Sequence, residues 1–278
     1  MSGAGSRPAA IAWIDGRWGN PEQLCLPLND RGLLLADGLF ETVLMEAGQP
    51  RLLAEHLGRW RRSAELLGMP EPPTDAALQP LLAEAVERSG IRDGALRLNW
   101  SRGSGGRGLD LPAELRPRFW LQLTAQRPLF TAVRCRISAL ERRQATLLSR
   151  CKTFAYGGAI QARREAQAAG DDDALLLGEG GQLCCASAAN LLVWRRGRWL
   201  TPPLSSGCLP GVMRERALAL GLAEEAEITA AALSSWGHAG DGACLLINSL
   251  SCRPLASLDG RPLPRMAAEP LWAAMKPN

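Results

Sequence analysis

The sequence predicts an α+β fold divided into two domains. Both halves of the 278-residue chain mix short strands with amphipathic helices, and neither shows an internal repeat, a heptad pattern or a low-complexity tract. Hydrophobic residues make up 46% and charged residues 22%, which is typical of a globular protein with a substantial core. Between Gln126 and Phe130 one strand-rich half ends and another begins, so we expect domains at 1–127 and 128–278.

The N-terminal half begins with a hairpin, because AWIDGRWG places two short strands around Asp15-Gly16. A polar loop then leads into the strand LFETVLME and a second short strand. Between residues 53 and 67 the apolar side chains recur every three or four positions, which predicts an amphipathic helix ended by Gly68. The half is completed by a helix over 75–89, the strand ALRLNWS, the glycine-rich loop SRGSGGRG and the strand RFWLQLTAQ.

The C-terminal half alternates strands, loops and helices. The strand TAVRCRISA precedes a loop over 149–157 and a helix over 158–169, and the strands ALLLG, LCCAS, NLLVWRR and RWLTPP follow. SSGCLPGVMRERALALG is a loop that leads into a helix, with Pro210 at an early helical position. A helix near 229–235, the strand ACLLINSL and a last helix near the end complete the half.

Composition narrows the classes of function. The net charge is +4, but the 32 basic residues are scattered among 28 acidic ones, so we expect no nucleic-acid groove. The longest apolar runs are too short to cross a bilayer, and the first residues lack the pattern of a secretion signal. Eight irregularly spaced cysteines form neither a disulfide framework nor a CxxC pattern. We therefore expect reduced thiols in the cytoplasm and, with only two histidines, no metal site.

A single lysine in mid-chain is unusual here. Lys152 and Lys276 are the only lysines among 32 cationic residues, and Tyr156 is the only tyrosine. Arginine replaces lysine well on a surface, but not where a deprotonated amine must attack a carbonyl, because guanidinium stays protonated. Lys152 is therefore a candidate for covalent binding of an aldehyde. On composition alone, it is equally well explained that Lys152 is a chance remnant in a loop.

Two further features suit a phosphate group. In CLPGVMRER, Gly211 opens a helix and exposes the amides of Val212 and Met213, which attract an anion together with the positive end of the helix dipole. Arg59, on the first long helix, offers a guanidinium suited to the same anion. Each feature alone is weak, because many such helices and arginines bind nothing. Together with Lys152 they could hold a phosphorylated cofactor that reacts with an amine.

Taken in order, these segments resemble the class IV aminotransferase family. The matching segments are DGLFET, HLGRWRRSAELL, SRGSGGRG, Lys152 with Tyr156, DDALLLGEGGQL, ASAANLL, LTPPLSSGCLPGVMR and INSL. The resemblance implies pyridoxal 5'-phosphate, the two-domain D-amino-acid/branched-chain aminotransferase fold, and a homodimer with active sites near its interface. It also implies a larger C-terminal domain that carries the cofactor lysine. SRGSGGRG and NSL are most similar to the aminodeoxychorismate lyases of that family, which make 4-aminobenzoate and pyruvate for folate synthesis.

The resemblance also assigns roles to residues. Lys152 would bind the cofactor aldehyde and later move a proton, and Tyr156 would lie near the phenolic oxygen of the cofactor. Ordinary packing is the alternative for Tyr156. Asn190 is expected to be structural. Contacts with the cofactor phosphate are implied for Arg59, Val212, Met213, Ser249 and Leu250, and contacts with substrate carboxylates for Arg102 and Arg107, whose alternative is a solvent-facing loop position.

The sequence departs from the family at Cys185. The family places a glutamate five residues before the asparagine that matches Asn190, where the carboxylate meets the pyridine nitrogen of the cofactor. A thiol with an ordinary pKa of about 8.5 is mostly neutral near pH 7. We therefore expect a ring nitrogen without its proton and a weaker electron acceptor. This loss should handicap transamination more than an elimination whose product is aromatic.

Three functions remain open on the sequence. The first is a lyase that converts 4-amino-4-deoxychorismate to 4-aminobenzoate and pyruvate, and the sequence favours it. The second is an aminotransferase acting on D-amino or branched-chain amino acids with the same cofactor. The third is a non-enzymatic scaffold with weakened cofactor binding, which Cys185 motivates. For either enzyme we expect a small substrate with carboxylates as the partner, and neither nucleic acid nor membrane.

Overall fold

The computed structural model describes residues 10–105, 108–236 and 241–276. Helices and strands mix throughout, which confirms the predicted α+β class. In these three ranges no helix has the length and apolar character needed to cross a bilayer. The chain forms two compact units, namely Met1–Arg127 with Lys152–Phe154, and Pro128–Cys151 with Ala155–Asn278.

Lys152 belongs to the first unit rather than to the C-terminal domain in which the sequence analysis placed it. The reason lies in its backbone contacts. The Phe40 amide donates to the carbonyl of Lys152 at 2.9 Å, and Thr153 forms an antiparallel bridge with Leu39. The segment 152–154 thus pairs with a strand of the first unit.

The first unit is built on a six-stranded antiparallel sheet with strand order β2-β1-β6-β5-β3-β4. Its strands are β1 (Ala10–Ile14), β2 (Arg17–Gly19), β3 (Gly38–Glu46), β4 (Gln49–Pro50), β5 (Gly94–Ser101) and β6 (Arg118–Ala125). Its helices are α1 (Arg31–Leu35), α2 (Leu53–Leu66) and α3 (Asp75–Ser89).

One face of this sheet is apolar and packs against helices. In β3 alternate residues face opposite sides, and Leu39 and Val43 are fully buried. Helix α2 packs against β3 and buries Leu57 and Trp60, and α3 packs near β1. Burial of these large apolar side chains is the main source of stability in the unit. The opposite face carries the candidate site described below.

The second unit is built on a nine-stranded sheet. Its strands are β7 (Val133–Arg143), β8 (Asp173–Gly178), β9 (Leu183–Ala186), β10 (Asn190–Arg195), β11 (Arg198–Thr201), β12 (Ala223–Glu225), β13 (Cys244–Asn248), β14 (Ser251–Leu258) and β15 (Arg261–Pro262). Its helices are α4 (Gly157–Ala168), α5 (Val212–Ala219), α6 (Ala230–Trp236) and α7 (Glu269–Ala274).

Six of these strands close into a ring, because β9 pairs with both β8 and β10. The order around the ring is β10-β13-β14-β7-β8-β9. A cluster of buried apolar side chains packs together from these strands, including Val133, Leu175, Leu191, Leu246 and Leu255. A second cluster joins α4 to the sheet and contains three cysteines, namely Cys184, Cys185 and Cys208.

Candidate functional site

Lys152 lies over the face of the six-stranded sheet that is turned away from α2. Glu41 on β3 contacts α2, so its neighbour Phe40 faces the other side. The Lys152 amine stands 4.2 Å from the centroid of the Phe40 ring. Backbone hydrogen bonds fix the segment, because the Phe40 amide donates to Lys152 and the Phe154 amide donates to Gly38 at 3.0 Å. The half-buried amine is therefore held by sheet pairing rather than by a free loop.

Arg97 on β5 faces the same ring. Its guanidinium carbon is 3.6 Å from the Phe40 centroid, and its Nε donates to Asn99 at 2.8 Å. Phe154 packs against Trp120 of β6 with centroids 5.6 Å apart. An amine, a guanidinium and a group of aromatic rings thus share one half-buried surface. Such a surface suits a flat, carboxylate-bearing molecule that reacts with the amine.

Sequence reasoning missed Arg97. A single arginine inside a strand matches no motif, and its partner Phe40 on β3 is remote in the sequence. The alternation of β5 was the available signal, because Arg97 and Asn99 interrupt the buried Leu96, Leu98 and Trp100 at every second position.

Arg59 is buried in an ionic group with Glu41 and His56. Its Nε donates to Glu41 Oε1 at 2.8 Å, and its Nη2 donates to Oε2 at 2.5 Å. His56 Nδ1 lies 2.7 Å from the same Oε2. All three residues are at most 5% exposed. Glu41 therefore fixes the orientation of the guanidinium that the sequence analysis expected to bind phosphate.

Charge is distributed unevenly within this group. Burial alone would raise the pKa of Glu41, but Arg59 and His56 hold that pKa at about 2. Burial lowers the pKa of His56, and Glu41 only partly offsets this, while Arg59 and Lys152 add to the lowering. His56 is therefore neutral at neutral pH and donates from Nδ1 to an ionised Glu41. No role of Glu41 or His56 could be predicted from the sequence, because their contact with Arg59 exists only in the folded unit.

Arg102 has a structural role that differs from its predicted one. The side chain is 6% exposed, and its Nε donates to both carboxylate oxygens of Asp37 at 2.9 and 3.1 Å. Its two terminal nitrogens donate to the carbonyls of Gly68 and Leu67 at the end of α2. We therefore do not propose Arg102 as a ligand of substrate. Arg107, the other predicted carboxylate ligand, lies outside the described residues.

In the second unit Asn190 contacts the loop that leads to the predicted phosphate ligands Val212 and Met213. Its side chain donates to the carbonyl of Leu209 at 2.9 Å, which ties the loop before α5 to β10. A Cβ on Gly211 would lie 2.0 Å from the Asn190 amide oxygen, so only glycine allows this approach. Gly211 precedes α5, whose first amides belong to Val212 and Met213 and have no acceptor within the helix. Asn190 is structural, in the sense that it positions this helix start.

The turn that contains Ser249 and Leu250 is tied to the same region. The Asn248 side chain accepts from the Leu250 amide at 2.9 Å and donates to the carbonyl of Ala188 at 3.1 Å. β13, which leads into this turn, pairs with β10 and contacts α5. The phosphate-binding roles of Ser249 and Leu250 stay predictions.

Tyr156 and Cys185 belong to this unit as well. Tyr156 immediately precedes α4, and its backbone carbonyl accepts a hydrogen bond from the amide of Ile160. Its place beside the cofactor stays a prediction. Cys185 is 8% exposed and pairs in register with Asn190. The hydrogen bond from Cys184, whose Sγ is 3.7 Å away, lowers the pKa of Cys185, and Arg143 adds to this against the effect of burial. The pKa of Cys185 is therefore lower than the ordinary thiol value from which the sequence analysis argued.

Each unit, taken by itself, contains groups with the chemistry that binds pyridoxal phosphate. The first unit contains a primary amine that can react with an aldehyde and a buried guanidinium at Arg59. The second unit contains the start of α5 behind Gly211, which accepts no Cβ and whose free amides suit an anion. Within the described ranges, no cluster of three or more His, Cys, Asp or Glu side chains could hold a metal ion.

Comparisons with known proteins agree with this chemistry. The family model described as amino-transferase class IV matches residues 38–258. A putative branched-chain-amino-acid aminotransferase of Methanocaldococcus jannaschii is 25% identical over 253 residues, which cover 90% of this chain and 88% of the relative. Aminodeoxychorismate lyase of Bacillus subtilis is 26% identical over 212 residues, which cover 73% and 71%.

A solved structure extends the likeness to three dimensions. The crystal structure of 4-amino-4-deoxychorismate lyase from Pseudomonas aeruginosa superposes with a TM-score of 0.77 at 29% identity, over 95% of this chain and 97% of that one. Enzymes of this family depend on pyridoxal phosphate, which confirms the predicted cofactor. Since the family model spans most of the sequence, the chain belongs to the class IV aminotransferase family.

Proposed function

We propose that this protein is a pyridoxal-phosphate-dependent lyase that converts 4-amino-4-deoxychorismate to 4-aminobenzoate and pyruvate. The observation that carries the proposal is the surface on which the Lys152 amine and the Arg97 guanidinium both face the Phe40 ring. A cyclic, carboxylate-bearing amine matches the aromatic and cationic groups of that surface. Relatives named for this reaction, at 26% and 29% identity, add support.

The residues divide the work as follows. When bound, the cofactor would supply an aldehyde for the substrate amine and a ring that accepts electrons. The Lys152 Nζ would remove the proton from the substrate ring carbon that bears nitrogen. Arg97 binds a substrate carboxylate and thereby orients the substrate ring towards Lys152. Enolpyruvate leaves as the ring becomes aromatic, and protonation converts it to pyruvate.

A coupled assay tests the reaction. Chorismate, glutamine and an aminodeoxychorismate synthase generate the substrate, and addition of this protein should release 4-aminobenzoate and pyruvate in equal amounts. Absence of both products, from protein that carries the cofactor, would overturn the proposal.

The role of Lys152 has a direct test with a matched control. Lys152→Arg and Lys152→Ala should lose both the visible absorption of the bound cofactor and the release of pyruvate, because neither side chain offers a deprotonated amine. Lys276→Arg changes the other lysine of the chain and should retain both. Retention of either signal in the Lys152 variants would refute the assigned role.

An aminotransferase acting on branched-chain or D-amino acids is the second candidate, and the relative from Methanocaldococcus jannaschii favours it. The two reactions are separated by adding a keto acid as acceptor. A transaminase converts the acceptor to an amino acid, whereas the lyase leaves it unchanged. A preparation that stays colourless after addition of pyridoxal phosphate would instead indicate a scaffold with weakened cofactor binding.

We also propose a homodimer that works in the cytoplasm. Leucines on α1 and on the segment that Arg31 ties to it are exposed, namely Leu33 at 55%, Leu34 at 59%, Leu109 at 83% and Leu111 at 57%. Such a patch suits an interface between two copies. The eight cysteines, none of which forms a disulfide in the part of the chain that the structure describes, suit a reducing compartment. Light scattering after gel filtration should give twice the mass of one chain, and a monomer would contradict this assembly.

A further inference from the structure

Two neighbouring thiols in β9 lie on the same side of their strand. Consecutive residues of a regular strand face opposite sides, so adjacent cysteines would normally diverge. Here the register between β8 and β9 shifts, with Leu176 opposite Cys185 and Leu177 opposite Leu183, which leaves Cys184 as the extra residue of a β-bulge. The bulge brings the two Sγ atoms to 3.7 Å, with Cys184 as donor and Cys185 as acceptor.

Charged and titratable groups reach Cys185 from three elements. Cys184 lies beside it on β9, Arg143 reaches it from the end of β7, and Cys208 reaches it from the segment before α5. Helix α4 and β8 contribute only apolar side chains to this cluster, including Ala162 and Leu176. A thiol donor and a guanidinium therefore face Cys185, together with the second thiol Cys208, and the first two favour an anion on its sulfur.

The competing thiol, Cys208, has a less favourable charge environment. Cys184 has one proton, which it can donate to Cys208 or to Cys185 but not to both. A hydrogen bond from Cys184 lowers the pKa of Cys208 to about 7, against the effect of burial. Its neighbouring guanidinium, Arg214, is already paired with Glu215 and Glu225. By contrast, among the side chains that the structure describes, Arg143 makes no ion pair. Since two adjacent anions repel, a single negative charge is better placed on Cys185 than on Cys208, whose arginine is already paired with two glutamates.

We propose that Cys185 is a thiolate in the folded protein and accepts the hydrogen bond of the protonated pyridine nitrogen of pyridoxal phosphate, with Cys184 as its thiol donor. The inference rests on the cofactor and on the matched position of Cys185 in the family, not on which reaction the enzyme performs. A thiolate at this position carries the same negative charge as the glutamate carboxylate of the family. The ring nitrogen therefore keeps its proton, and the cofactor ring keeps its electron-accepting character. The substitution at Cys185 is then compatible with catalysis.

The first test uses protein freed of cofactor, so that it reads only the thiol. Thiolates absorb in the ultraviolet where thiols do not, and wild type minus Cys185→Ser isolates one ionisation among eight cysteines. We expect that difference to titrate below the ordinary thiol value of about 8.5. Cys184→Ala and Arg143→Gln should each move it upwards by about one pH unit, because each removes one group that stabilises the anion. Cys244→Ser is the control, because Cys244 is a buried cysteine outside the cluster, and it should leave the titration of Cys185 unchanged.

The second test uses holoenzyme loaded with pyridoxal phosphate labelled with nitrogen-15 in the ring. We expect the nitrogen resonance of a pyridinium in wild type and in Cys185→Glu, and a resonance moved towards neutral pyridine in Cys185→Ser. Circular dichroism checks that each variant is folded.

The outcomes separate this inference from the proposed function. A Cys185 titration at or above the ordinary thiol value, or a neutral pyridine in wild type, overturns the thiolate. A pyridinium that persists unchanged in Cys185→Ser also overturns it, because Cys185 then does not hold the proton. If the lyase assay fails while the Cys185 titration and the pyridinium resonance are as expected, the proposed reaction is refuted and the thiolate at Cys185 is supported.

Discussion

Replacing Glu41 by glutamine removes the one negative charge in the buried group with His56 and Arg59. The carboxylate is 1% exposed, and its pKa falls from an ordinary 4.5 to about 2. Each pKa unit corresponds to about 1.4 kcal/mol, so ionised Glu41 contributes about 3 kcal/mol to folding at neutral pH. This agrees with the range of roughly 3 to 5 kcal/mol for breaking a buried ion pair and leaving one charge unpaired. We therefore expect Glu41→Gln to lower the free energy of unfolding by about 3 kcal/mol at pH 7.

The sign of the pH dependence follows from the direction of the pKa. Because the pKa of Glu41 is lower in the folded state, its stabilisation is fully present above pH 4.5 and is lost as pH falls towards 2. The stability difference between wild type and Glu41→Gln should therefore shrink by about 1.2 kcal/mol between pH 5 and pH 3.5.

Urea denaturation of both proteins, free of cofactor, measures these differences. Glu84→Gln is the matched control, because Glu84 forms an exposed helical pair with Arg88 and its loss should cost less than about 0.5 kcal/mol. A loss below about 1 kcal/mol for Glu41→Gln, or a difference that stays constant over the acidic range, would refute the account of this group.

Two further predictions follow from the site, and each compares two variants. Gly211→Ala places a Cβ 2.0 Å from the Asn190 amide oxygen and should weaken cofactor binding at least about tenfold, measured by fluorescence quenching. Gly157→Ala is the control, because its Cβ meets nothing within 4 Å, and it should leave the affinity for the cofactor unchanged. Equal affinities of the two variants would exclude the start of α5 as the phosphate site. Arg97→Gln should raise KM for the substrate by about 10- to 100-fold with little change in stability, whereas Arg102→Gln should lower stability by about 2 kcal/mol with KM unchanged. A reversed pattern between the two arginines would contradict the roles assigned to them.

Elements with strong periodicity were predictable from the sequence. The helix expected over 53–67 spans Leu53–Leu66, because Leu57, Trp60 and Ala64 mark a buried stripe that needs no tertiary information. The helix Arg31–Leu35 was not predicted. It has only five residues and depends on the Asp30 cap and on contacts from Arg31 to carbonyls near Asp110. Strand Ser251–Leu258 was missed too, because it alternates little and is fixed by its pairing with β13 and β7.

The site was predictable where a residue stood out by its type. Lys152 was recognised because lysine is rare in this chain, and Gly211 because glycine preceded an expected helix. Glu41 and Arg97 were not recognised, since their roles come from partners that only folding brings near. The bulge that turns Cys184 towards Cys185 depends on the register between two strands, and no local pattern reveals such a register.

The return of residues 152–154 to the first sheet has a consequence for how the protein is made. The chain leaves the first unit at Arg127 and comes back only after 24 residues of the second, Pro128–Cys151. A ribosome must therefore translate residues 128–151 of the second unit before Lys152 can join the sheet of the first unit. A gene divided between codons 127 and 128 would give two polypeptides, and the reactive lysine would be encoded apart from the sheet that supports it.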